Sequence, residues 1–282
     1  MAKVALVTDS TAYIPAGLVE QYQIRVAPQV IIWGGETLRD DVDIKPQQFY
    51  ERLKTAKTMP TTSQVLPKDF QDIFSSLLGQ GYDVLAVLIS EKLSGTIASA
   101  VQAKVQFAGA NIEIVDSNTI AMALGFLVLN AARAAENGAD LKECKELVER
   151  GRSQVGVVFA VDTLEFLHRG GRIGGGARFL GTALNMKPIL EVTGGRVEAV
   201  ERIRTRNKSL ARLVEIVVER TKGKQPIRLA TLHASAFDEA RQVLEAASAQ
   251  LNPVESIFSE VSPVVGTHAG PGTVGLAYMA GM

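Results

Sequence analysis

Three short polar segments of the chain combine residue types that can bind an anion. The first, LSGT, follows an apolar strand and places Ser94, Gly95 and Thr96 where a helix is predicted to begin. Ser and Thr side chains at such a position cap the helix by accepting bonds from its free N–H groups. Hydroxyls, a bare glycine and a helix N-terminus can equally bind an anion. Both interpretations remain open from the sequence.

The second segment, MPTTSQVLP, carries Thr62 and Ser63 between two prolines. It is predicted to be a loop ahead of a helix that begins near Pro67. Its hydroxyls either form a turn with their own backbone or face a ligand as a rigid set of donors. The sequence favours neither interpretation over the other.

The third segment, GTHAGPGTVG, surrounds His268 with glycines and adds Thr273. Glycine lets the backbone approach a ligand closely, and Pro271 stiffens the predicted loop. An isolated histidine is usually structural, but a histidine within so many glycines favours a functional role. We therefore predict that His268 donates a hydrogen bond to an anion and that Thr273 adds a hydroxyl.

The same residues also permit a catalytic alternative. Ser94 and His268, with Asp9 or Asp116, supply the residue types of a nucleophilic triad, so a serine-dependent hydrolase is the alternative function. However, LSGT lacks the glycines that stand two positions before and after the serine of a nucleophile elbow. The histidines are scattered, and no metal site is predicted. The single cysteine, Cys144, lies in a predicted amphipathic helix and is expected to pack in the core.

A basic segment, HRGGRIGGGARFLG, also contains many glycines. It lacks the Lys-Ser end of a nucleotide P-loop, and it does not follow a strand with dinucleotide-binding spacing. Neither kind of nucleotide site is therefore predicted. Its arginines, Arg169, Arg172 and Arg178, either lie in solvent, which is the commoner case, or bind a phosphate or the acidic face of a protein.

Short apolar strands alternate with helical patterns, and this predicts an α/β fold with a largely parallel sheet flanked by helices. Three predicted strands run into TDST, LSGT and DSNT, and the carboxyl ends of parallel strands form a common ligand-binding edge. We predict an N-terminal α/β domain over residues 1–154 and a second α/β domain over residues 155–282. The ligand site is expected between or beside them.

The composition favours a globular, cytoplasmic protein. The 30 Lys and Arg residues balance 30 Asp and Glu residues among 282, so no net charge attracts nucleic acid or an anionic membrane. The first residues are predicted to form a strand rather than the long apolar region of a signal peptide. No apolar run approaches the ~20 residues of a membrane helix, and no stable membrane insertion is expected.

Six ordered segments, spread over nearly the whole chain, resemble the signature segments of the DegV family. They are VTDSTAYIP, TTSQ, ISEKLSGTIASA, VDSNTIAMALG, LEFLHRGGRIG and GTHAGPGTVGLAY. The family has a two-domain α/β fold, in agreement with the strand and helix pattern. The chain departs from the family at one point, because it has TSQVLP where members often have TSQPS. The hydroxyl donors of that segment are nevertheless kept.

The resemblance implies that the chain binds one long-chain fatty acid, such as palmitate, stearate or oleate. Some DegV proteins are the fatty-acid-binding subunit of bacterial fatty acid kinase and present the carboxylate to a separate, ATP-using subunit. By this resemblance the chain is not itself an enzyme and needs no cofactor. It also implies that Thr62 and Ser94 hold the carboxylate and that His268 lies near it. The predicted site further includes Ser63, Gly95, Thr96 and Thr273, with Arg169 and Arg172 as partner contacts.

The hydrocarbon tail is expected to lie in an apolar tunnel. Burial stabilises it by ~0.8 kcal/mol per methylene, whereas a hydrogen bond to a charged group contributes about 1.5–3 kcal/mol. Affinity should therefore come mainly from the tail, and orientation from the head group. IAMALGFLVL and ARFLGTALNM are candidate tunnel walls, although core packing is their default interpretation.

Overall fold

The computed structural model describes residues 3–179 and 186–282. The strands in that part of the chain are β1 (Val4–Asp9), β2 (Arg25–Ala27), β3 (Val30–Trp33), β4 (Glu36–Arg39), β5 (Thr61–Ser63), β6 (Asp83–Leu88), β7 (Ile112–Asp116), β8 (Val155–Ala160), β9 (Lys187–Thr193), β10 (Arg196–Ile203), β11 (Ile227–His233), β12 (Glu255–Glu260) and β13 (Val274–Ala280). The helices are α1 (Ala16–Gln21), α2 (Pro46–Lys54), α3 (Pro67–Gly79), α4 (Thr96–Lys104), α5 (Ala121–Glu136), α6 (Leu141–Gly151), α7 (Glu165–Arg169), α8 (Arg206–Thr221), α9 (Phe237–Leu251) and α10 (Pro263–Ala269).

The first sheet is four-stranded and wholly parallel, with the order β2-β1-β6-β7. Helices cover both faces, so the strands read as nearly continuous apolar runs. Val84 and Ala86 of β6 pack with α3 and α4, while Leu85 and Val87 of the same strand pack on the side of α5. This double burial explains why VLAVL contains no alternating polar residues.

The second sheet is six-stranded, with the order β10-β9-β8-β13-β11-β12. Only β11 and β12 pair in parallel, and the other neighbours are antiparallel. The predicted α/β fold is confirmed. The predicted parallel sheet is the first sheet, whereas the second sheet is mostly antiparallel. The segment KPILEVTGGRVEAVERIR, two strand patterns on either side of a Gly-Gly pair, predicts a hairpin, and β9 and β10 form it. Gly194 and Gly195 form its turn with φ of 56° and 79°, and two such residues suit a tight turn between twisted strands.

A small antiparallel sheet, β4-β3-β5, corrects two predictions. The largely apolar pattern of IRVAPQVIIW by itself predicts one strand, but β2 and β3 belong to different sheets. Pro28 separates them, because it has no N–H for a ladder bond. TTSQ was expected to be a loop, but its first three residues form β5, in which Thr62 pairs with Ile31 of β3.

The segment around His268 corrects a third prediction. It was expected to be a glycine-rich loop, but Pro263–Ala269 form the helix α10. Pro263 suits the first turn of a helix because its missing N–H is not needed there. Gly270 ends the helix with a φ of 76°. His268 is therefore held by a helix, which fixes its direction more firmly than a loop would.

One apolar cluster joins residues of both sheets through α5. At Gly125 of α5 a Cβ atom would lie 2.5 Å from the carbonyl oxygen of Ala12, so the glycine permits the close approach of this helix to the end of β1. Because the cluster continues across residue 155, the boundary at residues 154 and 155 stays a prediction. Within the described residues, no helix is both long enough and apolar enough to cross a membrane.

Candidate functional site

A cavity of about 110 Å³ lies where the carboxyl edge of the first sheet meets the small sheet and the six-stranded sheet. Hydroxyl, amide, imidazole and guanidinium groups line part of the wall: Thr11, Gln29, Thr62, Ser94, Arg172 and His268. The six-stranded sheet contributes apolar side chains to the rest: Val157, Phe159, Val192, Val197 and Leu232.

The LSGT segment does not use its hydroxyls as a helix cap. Gly95 is the N-cap residue of α4, and no side chain caps this end. The Ser94 hydroxyl instead lies 2.9 Å from Oγ1 of Thr96 and lines the cavity. A Cβ atom at Gly95 would lie 3.2 Å from Cδ of Gln64, so this glycine lets the LSGT and TTSQ segments touch.

The shortest polar contact in the cavity wall joins Thr62 to His268. Oγ1 of Thr62 lies 2.7 Å from Nε2 of His268, and the two residues are brought together by β5 and α10. Behind the ring, a Cβ atom at Gly170 would overlap Nδ1 of His268. The glycine after α7 is therefore required for the position of the imidazole.

The imidazole of His268 is neutral near pH 7. Burial, with a smaller contribution from the nearby cation of Arg172, lowers the pKa of His268 to about 4. A neutral imidazole has one N–H group. If Nε2 carries that proton, it donates to Thr62, and the Thr62 hydroxyl proton is then free for a ligand. Among the described residues, Nδ1 has no hydrogen-bond partner, which leaves the tautomer to be set by Thr62 and the ligand.

Arg172 brings a fixed positive charge to the cavity wall. Its Nε donates to the carbonyl oxygen of Leu93 at 3.2 Å, and its Nη1 donates to that of Gly170 at 2.8 Å. These bonds hold the guanidinium beside both the LSGT segment and the glycine behind His268. Arg169 is different, because it forms an ion pair with Glu165 at 2.5 Å and does not line the cavity.

The structure brings together most of the predicted site residues. Thr62, Ser63, Ser94, Gly95, His268 and Thr273 all line the cavity, and Arg172 joins them. Two members have other roles. Thr96 is buried beside Ser94 rather than in the lining, and the Thr273 hydroxyl donates to the backbone carbonyls of Ala269 and Gly270.

Only two of the three polar segments that follow strands contribute side chains to the cavity lining. Thr11, after β1, and Ser94, after β6, reach the cavity. Ser117 and Thr119, after β7, bond to each other instead and are not in its lining.

Sequence reasoning missed Gln29, which is 3% exposed and lines the cavity. A single polar residue next to Pro28 gave no signal of burial.

The tunnel walls differ from those that the sequence suggested. Of IAMALGFLVL, only Ile120 and Ala121 line the cavity, and the rest packs in the core as α5. In ARFLGTALNM, residues 180–185 lie outside the described residues. Strands of the six-stranded sheet supply five apolar lining residues, and α10 with the residue two positions before it adds Val261, Val264 and Val265.

The hydrogen bonds do not assemble a catalytic triad. His268 contacts Thr62 rather than Ser94. Asp9 accepts bonds from Thr11, Gln29 and Ile89, and Asp116 accepts from the backbone of Asn118. No serine–histidine–aspartate chain therefore forms within the described part of the protein. That part also contains no group of three or more His, Cys, Asp or Glu side chains placed to hold a metal ion.

Comparison with known proteins decides the family. The model of the DegV family, which is described as a family of uncharacterised proteins, matches residues 3–281. The chain belongs to the DegV family. The protein DegV of Bacillus subtilis is 36% identical over 278 residues, which is 98% of each chain. A DegV domain-containing protein of Clostridium perfringens is 35% identical over 279 residues, again 98% of each chain.

Solved DegV structures have the same fold. A DegV family protein from Thermus thermophilus, described by its fatty acid binding, superposes with a TM-score of 0.94 at 35% identity, over 99% of each chain. DegV from Bacillus subtilis, described as a fatty acid binding protein, has a TM-score of 0.90 at 34% identity, over 99% of this chain and 100% of that one.

Proposed function

We propose that this DegV protein binds one long-chain fatty acid, with its carboxylate on Thr62 and Ser94 and its tail among the apolar residues of the cavity. One observation carries the proposal: a single cavity has a wall that changes from hydroxyl-bearing segments to an apolar sheet. An amphipathic ligand with one small polar end matches such a wall. The fatty acid binding described for the DegV proteins of Thermus thermophilus and Bacillus subtilis supports the same ligand class.

The head-group residues suit a carboxylate because each hydroxyl has a second donor behind it. A carboxylate only accepts hydrogen bonds, so Thr62 and Ser94 must each give their single proton to it. His268 can donate to Thr62, and Thr96 can donate to Ser94. Both hydroxyls then remain satisfied while they donate to the ligand. The charge of Arg172 in the same wall favours an anion over a neutral head group.

A second pocket supports presentation of the head group to another protein. It shares Thr62, Arg172 and His268 with the first cavity, and its lining also includes Met59, Phe166 and Arg169. A carboxylate on Thr62 would therefore border both pockets. We infer that a separate fatty acid kinase subunit docks on this basic rim and phosphorylates the carboxylate, while the DegV chain supplies no catalytic group.

Native mass spectrometry of the protein purified from bacteria tests the binding proposal. We expect a mass increment of one long-chain fatty acid, and we expect delipidated protein to regain it from palmitate. The methyl ester of palmitate keeps the tail but removes the charge, and it should be retained more weakly. A chain that stays empty after purification and after addition of palmitate would refute the proposal.

The docking step is tested with the charge reversal Arg169→Glu. Arg169 is exposed and pairs with Glu165 four residues earlier, so its reversal should reduce ATP-dependent acyl phosphate formation by an added fatty acid kinase subunit and leave the lipid content unchanged. Arg150→Glu is a matched control, because Arg150 is also exposed and paired four residues earlier, with Glu146. Equal turnover in both variants would exclude docking at Arg169. Arg172 is unsuited to this test, since it also lines the cavity.

A further inference from the structure

The two ends of the cavity are anchored at opposite edges of the six-stranded sheet. At one edge, the turn between β9 and β10 accepts hydrogen bonds from Ser90 and Lys92, which precede Ser94. At the other edge, Ser259 of β12 donates to the backbone carbonyl of Tyr13 at 3.3 Å. Because Ser94 and Tyr13 both line the cavity, it extends from the head-group residues across the sheet to Tyr13.

The apolar side chains between these ends lie on successive strands. They are Val197 of β10, Val192 of β9, Val157 and Phe159 of β8, and Leu232 of β11. Leu232 pairs with Ser259, which places this end of the wall beside Tyr13. In the sheet, β10 and β11 are four strand spacings apart, or roughly 19 Å at about 4.8 Å per spacing. One acyl chain spans about half of the ~30 Å hydrocarbon core of a bilayer, so this wall is long enough for one tail.

Tyr13 is the one described residue that lines both this cavity and a pocket at the β12 edge. This outer pocket has a volume of about 510 Å³. Its apolar lining includes Ile14, Val19, Val26, Val42 and Phe258. The neighbours of Tyr13 in the chain are divided between the two spaces, since Thr11 lines the cavity and Ile14 lines the outer pocket. Tyr13 therefore forms a partition one residue thick.

The charges of the outer pocket suit the methyl end of a tail rather than its head group. Glu20, Asp41 and Glu260 are exposed in its lining, which contains no Lys, Arg or His among the described residues. A carboxylate is repelled by like charges. A fatty acid whose head group lies on Thr62 and Ser94 would reach this pocket with its uncharged end.

The Tyr13 ring is held by packing rather than by hydrogen bonds. It packs against the apolar cluster that joins the two sheets. Its hydroxyl is buried and has no hydrogen bond of normal geometry to a described residue. The neighbouring Ser262 hydroxyl only opposes the rise that burial causes in the pKa of Tyr13. The ring thus closes the partition by its bulk, and a smaller side chain would open it.

We propose that Tyr13 limits the length of the bound fatty acid, because its ring ends the tail cavity and closes the passage to the outer pocket. The inference rests on the proposed fatty acid binding and adds a chain-length determinant to it. In the wild type, a tail that reaches the ring gains nothing from further methylenes. Without the ring, further methylenes enter the outer pocket and are buried there.

A series of saturated acids from myristate to behenate tests this inference. Affinities for delipidated protein are measured by competition with a fluorescent fatty acid. Each added pair of methylenes should tighten binding about tenfold while the tail lies on the apolar wall, and the gain should stop at a limiting length. In Tyr13→Ala the gain should continue for at least one further pair. Tyr13→Phe keeps the ring and should keep the wild-type limit.

The backbone of Tyr13 determines the choice of a second variant. Its φ of 55° lies in the left-handed region, which asparagine adopts more readily than most residues other than glycine. If Tyr13→Ala lowers the thermal midpoint, the series is repeated with Tyr13→Asn, which also removes the ring. The same extension of the length limit is expected.

Val26→Asp reports where the additional methylenes lie. Val26 is 40% exposed and lines the outer pocket but not the cavity, so the change should affect no acid while Tyr13 is intact. Combined with Tyr13→Ala, it should weaken behenate binding about tenfold and leave myristate unchanged. Val101→Asp is the matched control, because Val101 is exposed and lines neither space. Equal effects of the two aspartates on behenate would overturn the assignment of the outer pocket.

The outcomes distinguish this inference from the function on which it rests. If the wild type binds none of these acids, the proposed function is refuted. If it binds them and the variants that lack the ring keep its length limit, only the role of Tyr13 is overturned. A wild type without a length limit, or an equal extension in Tyr13→Phe, would overturn that role as well.

Discussion

Thr62 and Ser94 each bring one hydroxyl proton to the same cavity, and each has a polar neighbour behind it. His268 lies 2.7 Å behind Thr62, and Thr96 lies 2.9 Å behind Ser94. Side chains of this kind add a few hydrogen bonds, whereas a long tail adds many methylenes to the buried area. The head-group residues should therefore determine which ligand end is accepted rather than whether an apolar chain binds.

Removal of a hydroxyl should lower the preference for an acid. We expect Thr62→Val, which keeps the side-chain shape, to weaken palmitate binding about tenfold or more, in line with a charged hydrogen bond. Binding of the methyl ester should change much less. Affinities measured by competition with a fluorescent fatty acid check this. Thr61→Val is the matched control, because Thr61 does not line the cavity that holds Thr62 and Ser94, and an equal loss in both variants would contradict the assignment.

His268 should make stability depend on pH. Its pKa is lowered to about 4 in the folded protein, mainly by burial, and is about 6.5 in an unfolded chain. The unfolded chain therefore binds more protons between these values, so the His268 contribution is complete above pH 6.5 and is lost as the pH falls to 4. The loss is up to about 3 kcal/mol. Urea unfolding should show that the free energy of unfolding falls less between pH 7.5 and pH 4.5 in His268→Gln than in the wild type. An equal fall in both proteins would contradict the buried, neutral imidazole.

At the scale of elements, Asp40 holds α10 against the first sheet. Its Oδ1 accepts from the backbone N–H of Val264 at 3.0 Å, and its Oδ2 accepts from the Ser10 hydroxyl at 2.6 Å. This carboxyl is 1% exposed. The Asp40 carboxyl therefore links the helix that carries His268 to the turn after β1.

Asp40 should give a pH dependence of the opposite sign. Burial raises the pKa of Asp40 from 3.8 to about 7, so the folded protein binds more protons between these values. Its stabilisation is complete below pH 3.8 and is lost as the pH rises through 7.

The slope of the unfolding free energy against pH, measured between pH 5 and 8, should become more positive in Asp40→Asn. In the control, Asp43→Asn, the slope should not change, because Asp43 is exposed and its pKa is lowered to about 2 by Arg39. Equal slopes in all three proteins would contradict the raised pKa of Asp40.

The contact between α7 and α10 depends on Gly170. Because a Cβ atom at Gly170 would overlap the His268 ring, Gly170→Ala should displace that ring. We expect a loss of about 1–3 kcal/mol in unfolding free energy together with weaker palmitate binding. Gly17→Ala is the control, since no atom lies within 4 Å of a Cβ atom there. Wild-type binding in Gly170→Ala would show that the His268 position does not matter.

The sequence predicted those elements whose structure depends on neighbouring residues in the chain. The hairpin at Gly194 and Gly195, the buried strand β6 and the hydroxyl-bearing strand ends were predictable from residue periods and turn residues. The helix α10 and the strand β5 were not, because each is stabilised by distant partners. Val264 of α10 bonds to Asp40, and Thr62 of β5 pairs with Ile31. Gln29 was missed for the same reason, as its partners Asp9 and Ser94 are far away in the sequence.

At the scale of the whole molecule, the cavity exists only because distant parts of the chain meet. Thr62 and His268 are separated by 206 positions. Apolar lining residues come from strands β8 to β11 and from α10, whereas the hydroxyls of Thr62 and Ser94 come from β5 and from the turn before α4. The DegV fold therefore positions the polar and apolar parts of the site by packing two different sheets against α5, rather than by one local motif.

The most direct test is a crystal structure with a long-chain fatty acid that carries bromine at its methyl end. The account predicts carboxylate oxygens within hydrogen-bond distance of Oγ1 of Thr62 and Oγ of Ser94. It also predicts an anomalous bromine peak inside the cavity, among the apolar side chains of Val157, Phe159 and Leu232. A carboxylate bound elsewhere, or a bromine peak outside this cavity, would contradict the central claim.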